Sequence, residues 1–124
     1  MEYRKIQKFT DLKVWQESHK LILFVYSTVK TFPKEEMFAL SDQMRRCSVS
    51  VTSNIAEGFS RQSSKEKIHF YYTAKGSLTE LENQILIARD VGYLTEKATL
   101  KLLGMTEESG KLLTGIIRST KKFL

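Results

Sequence analysis

The sequence is poor in residues that interrupt helices or cross-link a chain. Its 124 residues include one proline, one cysteine, two histidines and six glycines. This composition leaves little room for loops and favours a few long elements. A single cysteine excludes a disulfide framework within the chain, and we expect Cys47 to be a small buried apolar residue.

Long hydrophobic runs are also missing. The first ten residues, MEYRKIQKFT, lack the apolar core of a signal peptide. No apolar run reaches the length that spans a membrane. We therefore expect a cytoplasmic protein in a reducing environment.

The sequence contains no convincing catalytic constellation. Neither the phosphate-binding pattern GxxxxGK[ST] nor GxGxxG occurs. Glu66 and His69 form a single E-x-x-H, whereas a di-iron bundle needs two copies and two further glutamates. One cysteine and two separated histidines do not suit zinc, and no base adjoins Cys47 to activate its thiol. We expect no enzyme activity, no cofactor and no metal site.

What the sequence does contain is apolar residues spaced alternately three and four apart, the pattern of amphipathic helices. Hydrophobic residues make up 41% and charged residues 27%, as in an ordinary globular domain. The pattern predicts helices at about residues 11–32, 35–58, 64–91 and 95–122. Short connections favour antiparallel neighbours, so residues 1–124 are predicted to form one all-α, up-down-up-down four-helix bundle.

Specific residues mark the predicted helix ends and core faces. Thr10 or Asp11 suits an N-cap, Ser63 and Glu66 fit a capping box, and Gly58 and Gly92 suit C-terminal stops. The predicted core residues are Leu12, Trp15, Ile22, Tyr26 and Val29 in the first helix; Met37, Leu40, Met44, Cys47, Val51 and Ile55 in the second; Tyr71, Ala74, Leu78, Leu81, Ile85 and Ala88 in the third; and Leu102, Met105, Ser109, Leu112, Ile116, Ser119 and Phe123 in the fourth.

The net charge of +6 is concentrated at the two ends of the sequence. Residues 1–9 and 118–124 together carry five of the six excess positive charges. In a bundle with an even number of helices both ends of the chain lie together, so these charges are predicted to form one basic pole that attracts nucleic acid. The alternative is that they only keep the protein soluble. The candidate nucleic-acid-binding residues are Arg4, Lys5, Lys8, Arg118, Lys121 and Lys122.

Short polar residues follow one face of the second helix and a matching face of the third. Ser and Asn are unfavourable inside helices, and a free surface more often carries Lys and Glu. Both faces could be exposed to solvent, or they could form a seam against each other or a second subunit. Our hypothesis is a structural or interface stripe in which Arg46 pairs with Glu57 or Glu80. The stripe comprises Gln43, Arg46, Ser50, Asn54, Glu57, Ser77 and Glu80.

Basic and aromatic residues alternate in KEKIHFYYTAK, residues 65–75. Such a pattern can contact phosphates and stack on bases. Alternatively, Phe70 and Tyr71 belong to the core and the lysines are a solvated face. We favour the second interpretation because the apolar series already includes Tyr71.

Three segments resemble a known family: FTDLKVWQESHKL, FPKEEMFALSDQMRRCSVSVTSNIAEGFSR and AKGSLTELENQILIARDVGYL. They are similar to the four-helix-bundle proteins encoded in the intervening sequences of bacterial large-subunit (23S) ribosomal RNA genes. The resemblance implies a left-handed up-down bundle that assembles into a ring, typically a pentamer, and a role in binding RNA or DNA.

Two functions follow from the sequence as expectations. The first is a non-enzymatic homo-oligomer that binds RNA or DNA through the basic pole. The second is a protein-interaction scaffold that binds no nucleic acid and uses its charge only for solubility.

Overall fold

The computed structural model describes residues 5–124, which form four long helices and no strand. Two short 3-10 turns, at Phe9–Asp11 and Lys34–Glu36, precede the first and second helices. Within residues 5–124 no helix is long and apolar enough to cross a membrane. The helices are α1 (Lys13–Val29), α2 (Leu40–Ser60), α3 (Ser64–Asp90) and α4 (Glu96–Lys121).

The four helices pack antiparallel, each against its two neighbours in a closed square. Pairs of side chains near the middle and the ends of the helices define this arrangement. In these pairs an early residue of one helix meets a later residue of its neighbour. The N-terminal ends of α1 and α3 and the C-terminal ends of α2 and α4 therefore lie at the same end of the bundle. The contacts are Ser18 with Ser109 at 3.2 Å, Ser50 with Ser77 at 2.9 Å and Tyr72 with Lys121 at 2.9 Å.

Several helix ends follow the sequence signals. The Ser63 hydroxyl accepts the backbone N–H of Glu66, so Ser63 caps α3 as predicted. Thr95 caps α4 in the same way. After α3, Gly92 has φ +88°, a left-handed conformation that glycine adopts without strain, and the N–H of Tyr93 bonds back into the last turn.

The bounds of α1 and α2 differ from those predicted. Asp11 accepts the backbone N–H groups of residues 7 and 8 and caps the first 3-10 turn, while α1 begins only at Lys13. α2 begins at Leu40 because the chain first makes the Lys34–Glu36 turn. The helix then continues through Gly58 to Ser60, so the prediction that Gly58 stops it is wrong.

Gly58 is instead required by the packing of α2 on α3. A Cβ atom at this position would lie 2.7 Å from Cε1 of Tyr71 and 3.0 Å from Cβ of Phe70. Real Cβ atoms do not approach other atoms as closely as the first of these distances. The missing side chain therefore allows the buried Tyr71 ring to lie against the backbone of α2.

The core confirms the predicted faces of α3 and most of α2. All six predicted core residues of α3 are buried, and so are Met44, Cys47, Val51 and Ile55 of α2. Met37 is exposed because it lies in the connection before α2.

The buried face of α1 matches the predicted one in part: Ile22 and Val29 are buried as predicted, and Leu12 and Trp15 are half-buried. Val14, Ser18, Leu21 and Val25 lie in the core, whereas the predicted Tyr26 is exposed. The run LILFVY is apolar on every side, so hydrophobicity alone does not orient this helix.

In α4 the core alternates apolar residues with small polar ones. Thr99, Thr106 and Ser109 are buried beside Leu102 and Leu113. The hydroxyls of the two threonines donate to carbonyls in the preceding turn, which removes the cost of burying them. Of the residues predicted for this face, Ser109 and Leu102 are buried, whereas Ser119 and Phe123 are exposed.

Candidate functional site

Positive charge is segregated to the end of the bundle where α1 begins. The half of the molecule nearer this end comprises residues 5–20, 51–76 and 109–124, which hold twelve lysines and arginines against four acids. The other half, residues 21–50 and 77–108, holds seven basic residues against nine acids. The antiparallel fold thus converts a modest net charge into a molecule with one basic and one slightly acidic end.

This basic end contains the sequence-predicted candidates that the structure describes. Lys5, Lys8, Arg118, Lys121 and Lys122 are all exposed; Arg4 lies outside the described residues. The turn between α2 and α3 adds two further exposed cations that the sequence analysis did not assign to the candidate site. We call the following set the basic pole: Lys5, Lys8, Arg61, Lys65, Arg118, Lys121 and Lys122.

Aromatic rings lie among the cations of this end. The Lys121 ammonium donates to the Tyr72 hydroxyl at 2.9 Å and lies 5.4 Å from the centre of the ring. This contact lowers the pKa of Tyr72, first through the hydrogen bond and then through the positive charge of Lys121. Tyr72 remains 46% exposed. Tyr71, its neighbour, is buried as predicted.

Two further cation–ring pairs surround the turn between α2 and α3. The Arg61 guanidinium lies 4.8 Å from the ring centre of Phe70, and the Lys67 ammonium lies 5.3 Å from that of Phe59. Lys67 also donates to the Phe59 carbonyl at 2.6 Å, which helps to satisfy the C-terminal end of α2. Partial burial lowers the pKa of Lys67. The KEKIHFYYTAK segment therefore combines core residues with aromatic residues at the basic end.

An open groove of about 460 Å³ runs between α3 and α4 from this end of the bundle. Within residues 5–124, neither Lys75 nor Arg118 makes an ion pair, while Lys111 lies 3.5 Å from Glu107. Three cations against one acid make the groove positive. We call it the α3–α4 groove; its lining is Lys75, Glu107, Gly110, Lys111, Thr114, Gly115 and Arg118.

The polar stripe does join α2 to α3, but only at its centre. The hydroxyls of Ser50 and Ser77 lie 2.9 Å apart, and the Asn54 amide donates to the Ser50 carbonyl at 2.8 Å and to its hydroxyl at 3.2 Å. These three side chains are half-buried. The remaining members, Gln43, Arg46, Glu57 and Glu80, are exposed in the single chain.

The ion pairs of the stripe differ from our hypothesis. Arg46 pairs with Asp42 at 2.9 Å, one turn earlier on the same helix, and not with Glu57 or Glu80. Glu57 pairs with Arg61 at 3.2 Å, again within one turn. Both are local pairs on exposed surfaces, which contribute little to stability.

Beside the stripe, the Cys47 thiol is buried and packs against α3. Its Sγ lies 3.0 Å from the Ser77 carbonyl oxygen, to which the thiol donates. Burial and, secondarily, the negative charge of Glu80 raise its pKa to about 11. Near neutral pH the thiol is therefore protonated, which opposes nucleophilic chemistry.

Each of the two histidines makes a contact with an aromatic ring. His19 stacks on Trp15 with ring centres 4.7 Å apart, and His69 meets Phe70 edge-on at 5.6 Å. Within residues 5–124 no three His, Cys, Asp or Glu side chains gather as metal ligands would.

Comparison with known proteins places the chain in a family. Residues 10–115 match the 23S rRNA-intervening sequence protein family. A similar solved structure is that of a protein of unknown function from the S23 ribosomal protein family of Bacteroides thetaiotaomicron VPI-5482, determined at 1.70 Å resolution. The two share 24% sequence identity with a TM-score of 0.79, over 85% of this chain and 95% of that one. No curated protein matches the sequence. The chain therefore belongs to the 23S rRNA-intervening sequence protein family, as the resemblance of its first three helices implied.

Proposed function

We propose that this protein is a non-enzymatic nucleic-acid-binding protein that holds RNA or DNA at its basic pole. The observation that carries the proposal is the separation of charge, with twelve basic residues against four acids in one half of the bundle. Clustered lysines and arginines attract the phosphate backbone and release its counterions. The name of the family links it to ribosomal RNA genes, which is consistent with a nucleic-acid ligand.

Binding of this kind should be weakly sequence-specific and strongly dependent on salt. Lysines contact phosphates as point charges and carry little information about bases. The logarithm of the affinity should therefore fall linearly with the logarithm of the salt concentration.

Neutralising one end of α4 tests the proposal. The variant Arg118→Gln/Lys121→Gln/Lys122→Gln removes three charges from the basic pole. We expect the slope of the logarithm of affinity against the logarithm of salt concentration to become shallower by about two to three. The matched control, Lys30→Gln/Lys34→Gln/Lys97→Gln, removes three exposed charges from the opposite half. Fluorescence anisotropy of labelled RNA and DNA, titrated at several salt concentrations, measures both.

The control variant tests whether the position of the positive charges, and not only their number, determines the affinity for nucleic acid. We expect it to bind within about two-fold of the wild type, because its charges lie away from the pole and long-range interactions are screened. Equal loss of affinity in both variants would show that only net charge matters. The proposal of a localised pole would then be wrong.

We also propose that the protein forms a homo-oligomeric ring, with a pentamer as the favoured form. A ring with the basic poles on one side would multiply their field and lengthen the surface for a polyanion. Native mass spectrometry tests this proposal directly, since each chain has a mass of 14.4 kDa. A monomer across the micromolar range would contradict it.

A protein-interaction scaffold is the second candidate, favoured by one feature at the opposite end. Phe38 is 89% exposed in the connection between α1 and α2, and Met37 beside it is also exposed. Exposed aromatic residues often anchor protein interfaces. Wild-type protein that binds no nucleic acid even at low salt would favour this function over the first.

A further inference from the structure

We propose that the α3–α4 groove binds a single strand, with an unpaired base stacked on Tyr72 and the phosphates following Lys75, Lys111 and Arg118. This inference rests on the proposed function and specifies its ligand class. Tyr72 lies on α3 one turn from Lys75 and is joined to α4 through Lys121. Tyr72 is not itself part of the groove lining, but its position one turn before Lys75 places it beside the groove.

Exposed aromatic rings distinguish a single strand from a duplex. A ring can stack only on the face of a base, and in a duplex the neighbouring base pairs cover these faces. Tyr72 is nearly half exposed although its hydroxyl is held by Lys121. That hydrogen bond restrains the ring, which lowers the ordering cost when a base stacks on it.

The shape of the groove fits a short strand. Along α4 the ten residue-to-residue steps from Lys111 to Lys121 rise about 15 Å, enough for roughly four nucleotides stacked about 3.4 Å apart. The groove lining includes two glycines of α4, which have no side chain to fill the groove. A Cβ at Gly115 would meet nothing within 4 Å, so this glycine is not needed for packing and leaves the groove open.

The distribution of ring–cation pairs also favours this end. Three of the four pairs found in residues 5–124 lie in the basic half of the bundle, around Phe59, Phe70 and Tyr72. The fourth, Lys101 with Phe24, lies in the other half. Cations and rings together provide the two groups that bind single strands without reading their sequence.

Substitution of Tyr72 tests the stacking contact. We expect wild-type protein to bind labelled twelve-nucleotide oligo(U) or oligo(dT) more tightly than a twelve-base-pair duplex. Tyr72→Leu should weaken single-strand binding about ten-fold or more and duplex binding less than two-fold, since only the single strand uses the ring. Tyr72→Phe keeps the ring and should remain within about three-fold of the wild type.

Tyr26→Leu is the matched control, because Tyr26 is similarly exposed but lies on α1 in the other half. It should bind like the wild type. A second variant, Lys75→Gln/Lys111→Gln, tests the groove without altering any aromatic residue and should weaken single-strand binding at least five-fold. Helical circular dichroism and thermal melting confirm that each variant is folded.

The outcomes separate this inference from the proposed function. If duplex and single strand bind equally, or if Tyr72→Leu binds the single strand as the wild type does, the groove inference is wrong while binding at the pole stands. If no nucleic acid binds the wild type at low salt, both are wrong. A single-strand preference that depends on Tyr72 and on the groove lysines supports both.

Discussion

At Gly58 a single missing side chain sets how closely two helices approach. The Tyr71 ring occupies the space where a Cβ atom would lie, 2.7 Å from the ring carbon. Tyr71 is itself among the largest fully buried side chains. Accommodating a methyl group would move the ring, the backbone of α2 or both, and these shifts would propagate into the most extensive interface of the bundle.

We expect Gly58→Ala to lower the free energy of unfolding by about 1–3 kcal/mol, as overpacking of a core does. The substitution would otherwise favour the helix, since alanine has a higher helix propensity than glycine. Gly76→Ala on α3 is the control, because a Cβ there meets nothing within 4 Å. It should stabilise the protein by up to about 1 kcal/mol.

Chemical denaturation of both variants measures the two free energies. A stable Gly58→Ala variant would show that Tyr71 can move aside without cost. The close approach would then be incidental to the fold.

At the scale of the helices, the contact between Ser50 and Ser77 joins the centres of α2 and α3. Around it lie Asn54, bonded to Ser50, and Cys47, bonded to the Ser77 carbonyl. Nearby, Gln84 is 5% exposed and its Oε1 has no hydrogen-bond partner. Polar contacts in a packed interface favour one register of the helices over its neighbours more than they add stability.

A double-mutant cycle measures this contact. We expect Ser50→Ala and Ser77→Ala to show a coupling free energy of about 0.5–1.5 kcal/mol in unfolding, the usual net value of a hydrogen bond. Ser53→Ala, at an exposed position one turn away on α2, should show no coupling to Ser77→Ala. Additive effects of the first pair would mean that the two hydroxyls do not stabilise the interface.

Helix by helix, the three–four spacing of apolar residues predicted the core faces with unequal success. In α3 all six predicted positions are buried, although apolar residues also stand next to one another at residues 70–72 and 85–88. In α1 the predicted Ile22 and Val29 are buried but Tyr26 is exposed, because Leu21 to Tyr26 is an uninterrupted apolar run that fits more than one helical series. A periodicity of apolar residues does not assign a small polar residue such as Ser18 to the core, although Ser18 is fully buried.

The candidate site was also predicted only in part, because the sequence shows which charges are close along the chain but not which ones the fold brings together. The basic residues within 1–9 and 118–124 were predicted because those of each group are close together in the sequence. Arg61 was missed because the antiparallel turn between α2 and α3, and not sequence proximity, brings it to the same end, while Lys65 was set aside as part of a solvated face. Tyr72 was set aside since its neighbour Tyr71 belongs to the core, although adjacent residues on a helix point about 100° apart.

At the scale of the whole molecule, the clustered positive charges of the basic half repel one another. Like charges held together by the fold repel each other and destabilise the compact state. A protein that concentrates cations for binding should therefore become more stable when a few of them are removed, within the limits of what surface charges contribute.

We expect Lys5→Gln/Lys65→Gln to raise the free energy of unfolding by a few tenths of a kcal/mol at low salt. Lys65 also lies in the first turn of α3, where the helix dipole disfavours a positive charge. The control Lys30→Gln/Lys34→Gln, in the other half, should give no gain. In 1 M salt, where the Debye length is about 3 Å, the difference should nearly vanish. A gain that persists unchanged in high salt would point to a cause other than charge repulsion.

The antiparallel order of the helices has one more consequence for the basic pole. Two helices begin and two end there, so their dipoles nearly cancel and the local field comes from side chains. Of the twelve basic residues in that half, ten are lysines and only Arg61 and Arg118 are arginines. Because acetylation neutralises lysine and leaves arginine charged, acetylating these amines would erase most of the field while the buried core remained intact.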